Sequence, residues 1–188
     1  DPTQTAQNIQ YWLDEAEIKP SGFATEMKHQ AIETNGPKLA TKNQNGHIDF
    51  IKALDQLEQL LPKNRLLVTD GGRFMTEVWS RISVPHPKNF IHSANFAAIG
   101  QGLQQAIGAA IAKPDEFVCL FVGDGGFMLG AINEFNTAVR LNINLLVIVC
   151  NDSAYGAEYI QFKDRQMSPA LSQFDWPSFA EVATSLGG

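Results

Sequence analysis

Cysteine is scarce in this chain of 188 residues: Cys119 and Cys150 are the only two, and both sit inside apolar runs. Two isolated thiols make neither a disulfide framework nor a metal-binding pattern, and they read as reduced core residues of a cytosolic protein. Charge is also sparse, at 18% of residues against about 25% in an average globular chain. With 44% hydrophobic residues, that excludes intrinsic disorder, which needs low hydrophobicity and high net charge. Basic clusters are missing and the formal charge is −6, so nucleic acid is not an expected partner. No apolar run approaches the ~20 residues of a membrane span, and no signal peptide opens the sequence. An initiator Met is absent too. The first residue is Asp1 and the last two are Gly187 and Gly188, so the chain is expected to be a piece of something longer. The length suits one domain, with at most an added arm.

What is present falls into two stretches. Residues 5–18 have the spacing of a short amphipathic helix, with Ile9, Trp12 and Leu13 on one face. Residues 20–46 are polar, rich in Gly, Pro, Asn, Thr and Lys, and read as a long connection. From residue 47 the pattern becomes regular. Helices are expected over 51–61, 73–82, 100–112, 129–141, 155–165 and 176–186, and short apolar strands at 66–68, 90–91, 117–122 and 145–150. The run Phe117 to Val122 is continuously apolar, as in a strand covered on both faces. Helices alternating with such strands predict an α/β domain, a parallel sheet flanked by helices on both faces. Ligands in that architecture bind beyond the C-terminal strand ends.

Three strand ends are unusual: Asp70-Gly71-Gly72, Gly123-Asp124-Gly125-Gly126 and Asn151-Asp152-Ser153. Glycines between a strand and a helix let backbone N–H groups approach a phosphate. A dinucleotide fingerprint would need glycine where Met128 stands, and no Gly-Lys-Ser/Thr follows, so neither that motif nor a P-loop fits. A carboxylate beside a phosphate is repulsive unless a cation lies between them, which makes Asp124 a candidate ligand of Mg²⁺ or Ca²⁺. Asp124 equally suits a helix cap. Asn151-Asp152 offers more hard oxygens on a neighbouring strand end, or forms a plain turn.

Taken in order, GDGGF (123–127), Glu134 with Thr137-Ala138, and NDSAYG (151–156) resemble the thiamine-diphosphate motif. GQGLQQAIGAAIAKPDEFVCLFVGDG (100–125) resembles the segment before that motif in the acetolactate synthase, pyruvate oxidase and benzoylformate decarboxylase family, and LLVTDGG (66–72) matches its first diphosphate-contacting turn. The resemblance covers roughly residues 47–186. It implies the C-terminal, diphosphate-binding domain of such an enzyme over 47–188, short of a final strand and helix, with 1–46 as an arm and linker from a preceding domain. It implies thiamine diphosphate and Mg²⁺ as cofactors, a 2-oxo acid as substrate and a cytoplasmic location. The cofactor would lie against the pyrimidine-binding domain of another subunit, in a homo-dimer or homo-tetramer, and the isolated chain is expected to self-associate. No catalytic residue is expected here, because the activating glutamate belongs to the pyrimidine domain.

Carried across position by position, Asp124 is the first metal ligand. Motif spacing makes Asn151 the second, whereas alignment on Tyr155-Gly156 makes it Asp152, with a one-residue insertion within 127–133. Asp152 is preferred, Asn151 is the alternative, and the Ala154 carbonyl is the third ligand. Gly123, Gly125, Gly126 and Phe127, with Gly72, Arg73 and Phe74, would border the diphosphate. Ile99 matches the aliphatic wedge that bends the cofactor. Ala97 stands where the family often has a glycine whose carbonyl meets the cofactor's amino group. Tyr155 and Gly156 complete the implied cofactor-binding set, and Tyr155, Glu158 and Gln161 lie on the helix after the metal loop, which in this family can face substrate. His29, His47, His86 and His92 are expected to be surface or structural. Two other readings compete: a natural small subunit of a split decarboxylase resembling sulfopyruvate decarboxylase, and a Mg²⁺ phosphatase of haloacid-dehalogenase type. The phosphatase needs a second Asp two residues from the first, and Asp70 has Val68 before it and Gly72 after it.

Overall fold

A computed structural model describes residues 1–19, 47–92, 95–130 and 132–188. The chain divides into two compact units, Asp1–Gly36 and Pro37–Gly188. In the first, α1 spans Pro2–Glu15, three residues earlier than the apolar spacing predicts. The start is chemical: Asp1 caps it by accepting from the Thr3 N–H at 2.8 Å, and Pro2 opens the first turn. None of its residues is buried within the described structure. The connection expected at 20–46 lies outside the described residues.

The second unit runs α2 (Phe50–Leu60), β1 (Arg65–Thr69), α3 (Met75–Arg81), β2 (Phe90–His92), α4 (Gly102–Ala112), β3 (Phe117–Gly123), α5 (Asp124–Gly130), α6 (Ile132–Arg140), β4 (Leu145–Cys150), α7 (Gly156–Asp164) and α8 (Phe179–Ser185). Asp49 caps α2, and the helix stops at Leu61 because the residue before Pro62 is driven to extended backbone. Just beyond, Arg65 is wholly buried at the start of β1. Its guanidinium donates to the Glu58 carboxylate and to the carbonyls of Leu61, Pro62 (2.9 Å) and Ser83 (2.7 Å). A buried cation survives only with such partners. Burial works to raise the Glu58 pKa, but hydrogen bonds from Ser83 and Lys63 and the Arg65 charge outweigh it and hold the carboxyl below its ordinary value.

Among the described residues the four strands are all parallel, in the order β2-β1-β3-β4. Alternation along the strands builds two cores. Leu66, Val68, Val118, Leu120 and Val122 face α4, Phe127 of α5 and Ala138 of α6. Leu67, Cys119 and Phe121 face Leu54 of α2 and Val78 of α3. The expected fold class, a parallel sheet with helices on both faces, is therefore what the chain adopts. The chain steps from β1 outward to β2 through α3 on one face. It then returns past β1 to β3 through α4 on the other face, and continues outward through α5 and α6 to β4. Connections leave β1 and β3, which are neighbours, in opposite directions. That is a topological switch point, and the crevice it opens lies beyond the C-terminal ends of those two strands.

Candidate functional site

The crevice is bordered by the ends of β1 and β3. Asp70, immediately after β1, continues the ladder by donating its N–H to the Phe121 carbonyl at 3.0 Å. Its side chain is fully buried, and Oδ2 accepts from the Gly100 N–H at 2.8 Å. Burial pushes this carboxyl above its ordinary value, against the pull of backbone N–H groups of Gly100, Gly71, Gln101 and Gly102. Gly100 needs its φ of +88°, and a methyl there would meet the Gly126 carbonyl at 3.1 Å. A methyl on Gly126 would stand 2.5 Å from Asp70 Oδ2 and 3.2 Å from Ile99 Cγ2. The three segments at 70–72, 99–102 and 124–130 are thus packed to backbone contact.

Ile99, the predicted wedge, is 48% exposed and reaches over both Gly71 and Gly126. The preceding turn carries two left-handed residues in a row, Phe96 (φ 57°) and Ala97 (φ 52°), a conformation costly for residues with a Cβ. Ala97 thus adopts, with a Cβ, a backbone conformation that glycine takes without cost. Phe74 lies under both turns, its ring against Gly72 and Gly123.

Asp124 opens a helix rather than ending a loop. Helix is already present from Asp124, five residues before the expected start near 129; it is described as α5 to Gly130 and as α6 from Ile132. Three glycines disfavour a helix by propensity, but the close packing against Asp70 and Gly100 overrides that. Gly125, Gly126 and Phe127 consequently occupy a first turn, whose N–H groups have no partner within the helix. Asp124 is 2% exposed, and the Trp176 indole Nε1–H donates to its Oδ2 at 2.7 Å.

The loop after β4 completes the arrangement. Asn151 Oδ1 accepts from the Ser153 N–H at 3.0 Å, closing a turn on itself. Asp152 follows β4 at the strand end next to that of β3, within reach of the Asp124 charge. Burial and the Asp124 charge push its pKa up, while the Ala154 N–H and the Arg73 guanidinium pull it down. A methyl on Gly156 would meet Asp152 Oδ2 at 2.7 Å and Arg73 Cδ at 3.3 Å, so the first turn and this loop touch. The loop is clamped from behind by a return segment. The Tyr155 N–H donates to the Ser172 carbonyl and the Phe174 N–H to the Ser153 carbonyl, each at 2.9 Å, around an Ala154–Gln173 bridge. Tyr155 packs edge-on to Phe174 at 4.6 Å, and Phe174 stacks on Trp176 at 4.5 Å.

Cofactor-site residues predicted from the sequence therefore converge on one crevice: the first turn (72–74), the wedge loop (97–99), the start of α5 (123–127) and the β4 loop (151–156). Glu158 and Gln161 are exposed on α7. The sequence reading missed Ser172, Phe174 and Trp176, and it gave Asp70 no place in this reading. A strand-end Asp before two glycines was a usable signal for Asp70, whereas the return segment has no periodicity to read. His86 caps a short 3₁₀ turn and His92 bonds to Thr69, structural parts both; His29 lies outside the described residues. A mostly apolar hollow of about 350 Å³ is lined by Leu67, Trp79, Ile82, Val84, Pro87 and Phe90, none of them among the residues of this crevice. No helix among the described residues is long and apolar enough to cross a membrane.

Residues 70–188 match the family described as the thiamine pyrophosphate enzyme, C-terminal TPP binding domain. The chain belongs to that family. Mouse 2-hydroxyacyl-CoA lyase 2 is 36% identical over 142 residues, covering 75% of this chain and 22% of the lyase. The large subunit of acetolactate synthase isozyme 2 from Escherichia coli is 29% identical over 140 residues, covering 71% of this chain and 25% of that subunit. An X-ray structure from Mycobacterium smegmatis, of an enzyme assigned as thiamin diphosphate-dependent, shares the fold with a TM-score of 0.63. It is 20% identical, and the match covers 73% of this chain and 25% of that one. The chain thus spans about a quarter of the length of the proteins it matches. Among the described residues no group of three or more His, Cys, Asp or Glu is placed to hold a metal, so a cation at this thiamine pyrophosphate domain would need backbone or ligand oxygens beside its two carboxylates.

Proposed function

We propose that this domain binds the diphosphate of thiamine diphosphate through Mg²⁺, within an enzyme that decarboxylates or ligates 2-oxo acids in the manner of acetolactate synthase. The observation that carries the reading is the pair Asp124 and Asp152. Two carboxylates stand at the ends of adjacent strands, the Asp124 charge raising the pKa of Asp152, beside a glycine-lined helix start. Converging carboxylates without an intervening cation repel, and hard oxygens of this kind suit Mg²⁺ with phosphate. Asp124, Asp152 and the Ala154 carbonyl would hold the cation. Asn151 is the weaker candidate, because its side-chain oxygen is engaged within its own turn. First-turn N–H groups at Gly125, Gly126 and Phe127, with Gly72, Arg73 and Phe74 opposite, would hold the diphosphate. Ile99 would support the bent cofactor from below, and Ala97 would offer its carbonyl. When bound, the cofactor supplies an electron sink for the bond beside the 2-oxo group; the residues of this chain bind, orient and neutralise charge.

On this reading residues 1–46 are the arm and link from a preceding domain. The activating glutamate lies in the pyrimidine domain of another subunit, and the assembly is a dimer or tetramer in the cytoplasm. Calorimetric titration of thiamine diphosphate, with Mg²⁺ and then with EDTA, tests the proposal. Binding should require the metal and disappear in Asp124→Ala. Metal-independent binding, or binding that survives the substitution, would move the metal site elsewhere. Sedimentation of the chain should show self-association, and a clean monomer at high concentration would contradict it.

A further inference from the structure

We propose that Trp176 is a positioning residue for Asp124, its indole N–H holding the carboxylate in the conformer from which it meets the cation. The inference rests on the thiamine diphosphate and Mg²⁺ reading above. The indole Nε1 lies 2.7 Å from Asp124 Oδ2, a short and directional bond to a charged acceptor. Asp124 is 2% exposed, so bulk water does not orient it and a protein donor must. An ionised carboxylate accepts at about four lone-pair sites, so a donor on Oδ2 leaves capacity for a cation on the same side chain.

The donor is itself fixed. Trp176 stacks on Phe174 with ring centroids 4.5 Å apart and planes 18° apart. Phe174 meets Tyr155 edge-on at 4.6 Å, and the Tyr155 ring covers Gly125, where a methyl would approach it to 2.6 Å. This circuit of three rings leaves Asp124 and returns to the residue beside it. Each of the two acidic side chains then has its own protein partner, the indole for Asp124 and the Arg73 charge for Asp152. A neutral donor suits Asp124, because it satisfies a lone pair without placing a second positive charge in competition with the metal.

The test uses the full chain labelled with ¹⁵N, whose three tryptophans, Trp12, Trp79 and Trp176, give three indole N–H resonances assignable by Trp→Phe variants. Asp124→Ala should shift the Trp176 resonance and speed its solvent exchange while leaving the Trp12 and Trp79 resonances in place. An unmoved Trp176 resonance overturns the proposal. A second arm titrates thiamine diphosphate with Mg²⁺ into Trp176→Phe, which keeps a stacking ring and removes the N–H. Affinity in Mg²⁺ should fall about tenfold, and EDTA should abolish binding in the variant as in the wild type. Equal affinity in the variant and the wild type overturns the positioning role and leaves the cofactor reading intact. Failure of the wild type to bind thiamine diphosphate with Mg²⁺ overturns both.

Discussion

The two halves of the crevice are built by different means. On the β1–β3 side, three segments meet backbone to backbone, and glycines stand where any side chain would strike Asp70, Gly100 or Gly130. On the β4 side, contact is made by side chains: Tyr155, Phe174 and Trp176 in succession, with Asp152 and Arg73 at the rim. Close-packed backbone has one arrangement and transmits any change as strain. Side-chain contacts at a half-exposed edge give way more readily than backbone contacts, because a ring that is pushed can shift toward solvent. The first half is therefore a fixed cradle, and the second is an adjustable cover.

Substitutions that differ only in which half they load should expose the contrast. Gly126→Ala should do the most damage, because its methyl meets a buried carboxylate oxygen at 2.5 Å and Ile99 at 3.2 Å. A loss of about 3 kcal/mol in chemical denaturation is expected. Gly125→Ala points an equal methyl at the Tyr155 ring instead; the ring can swing, and about 1 kcal/mol should go, with a change in tryptophan fluorescence as the stack shifts. Equal losses in the two variants would erase the distinction between cradle and cover. Asp152→Asn keeps the shape and removes one charge of the pair. It should weaken Mg²⁺-dependent cofactor binding about tenfold in calorimetry while leaving the melting temperature of the metal-free protein unchanged or slightly raised.

The smallest effect expected is a pH slope. Burial places the Asp70 carboxyl above its ordinary 3.8 in the folded chain. The folded state then binds the proton more tightly than the unfolded state. Stability from this group is fully present below the ordinary value and is lost as pH rises through the folded pKa. Asp70→Asn should remove that slope, which denaturation curves between acid and neutral pH would show by difference. Glu58 runs the other way: its depressed pKa gives stability above its ordinary 4.5 that is lost as pH falls. The two must therefore be separated by variant rather than read from the wild type alone.

Much of the cradle was legible in the sequence because its signals are local. Strand ends punctuated by Asp70-Gly-Gly, Gly123-Asp-Gly-Gly and Asn151-Asp mark themselves. Strand β4 has the bounds its apolar run predicts, and alternation of buried residues assigns the two cores. Three things were hidden for physical reasons. The start of α5 at Asp124 runs against the propensity of its glycines and depends on tertiary packing. The left-handed pair Phe96 and Ala97 carries no glycine to announce it. Trp176 lies 52 residues from the carboxylate it serves; the spacing places it at the start of the helix expected over 176–186, but the helix begins at Phe179, and only the closed fold brings indole and carboxylate together.

The strand order has a consequence for how the crevice comes into being. Its two walls, β1 and β3, are hydrogen-bonded neighbours although Arg65 pairs with Phe117, about fifty residues on, with β2 and α4 made in between. Pairing of that range carries the entropic cost of closing a long loop, which works against any partly folded chain that has both walls in place. A ligand that needs both walls finds no site on a partly folded chain. It acts by mass action on the finished structure, slowing unfolding and leaving the folding rate unchanged.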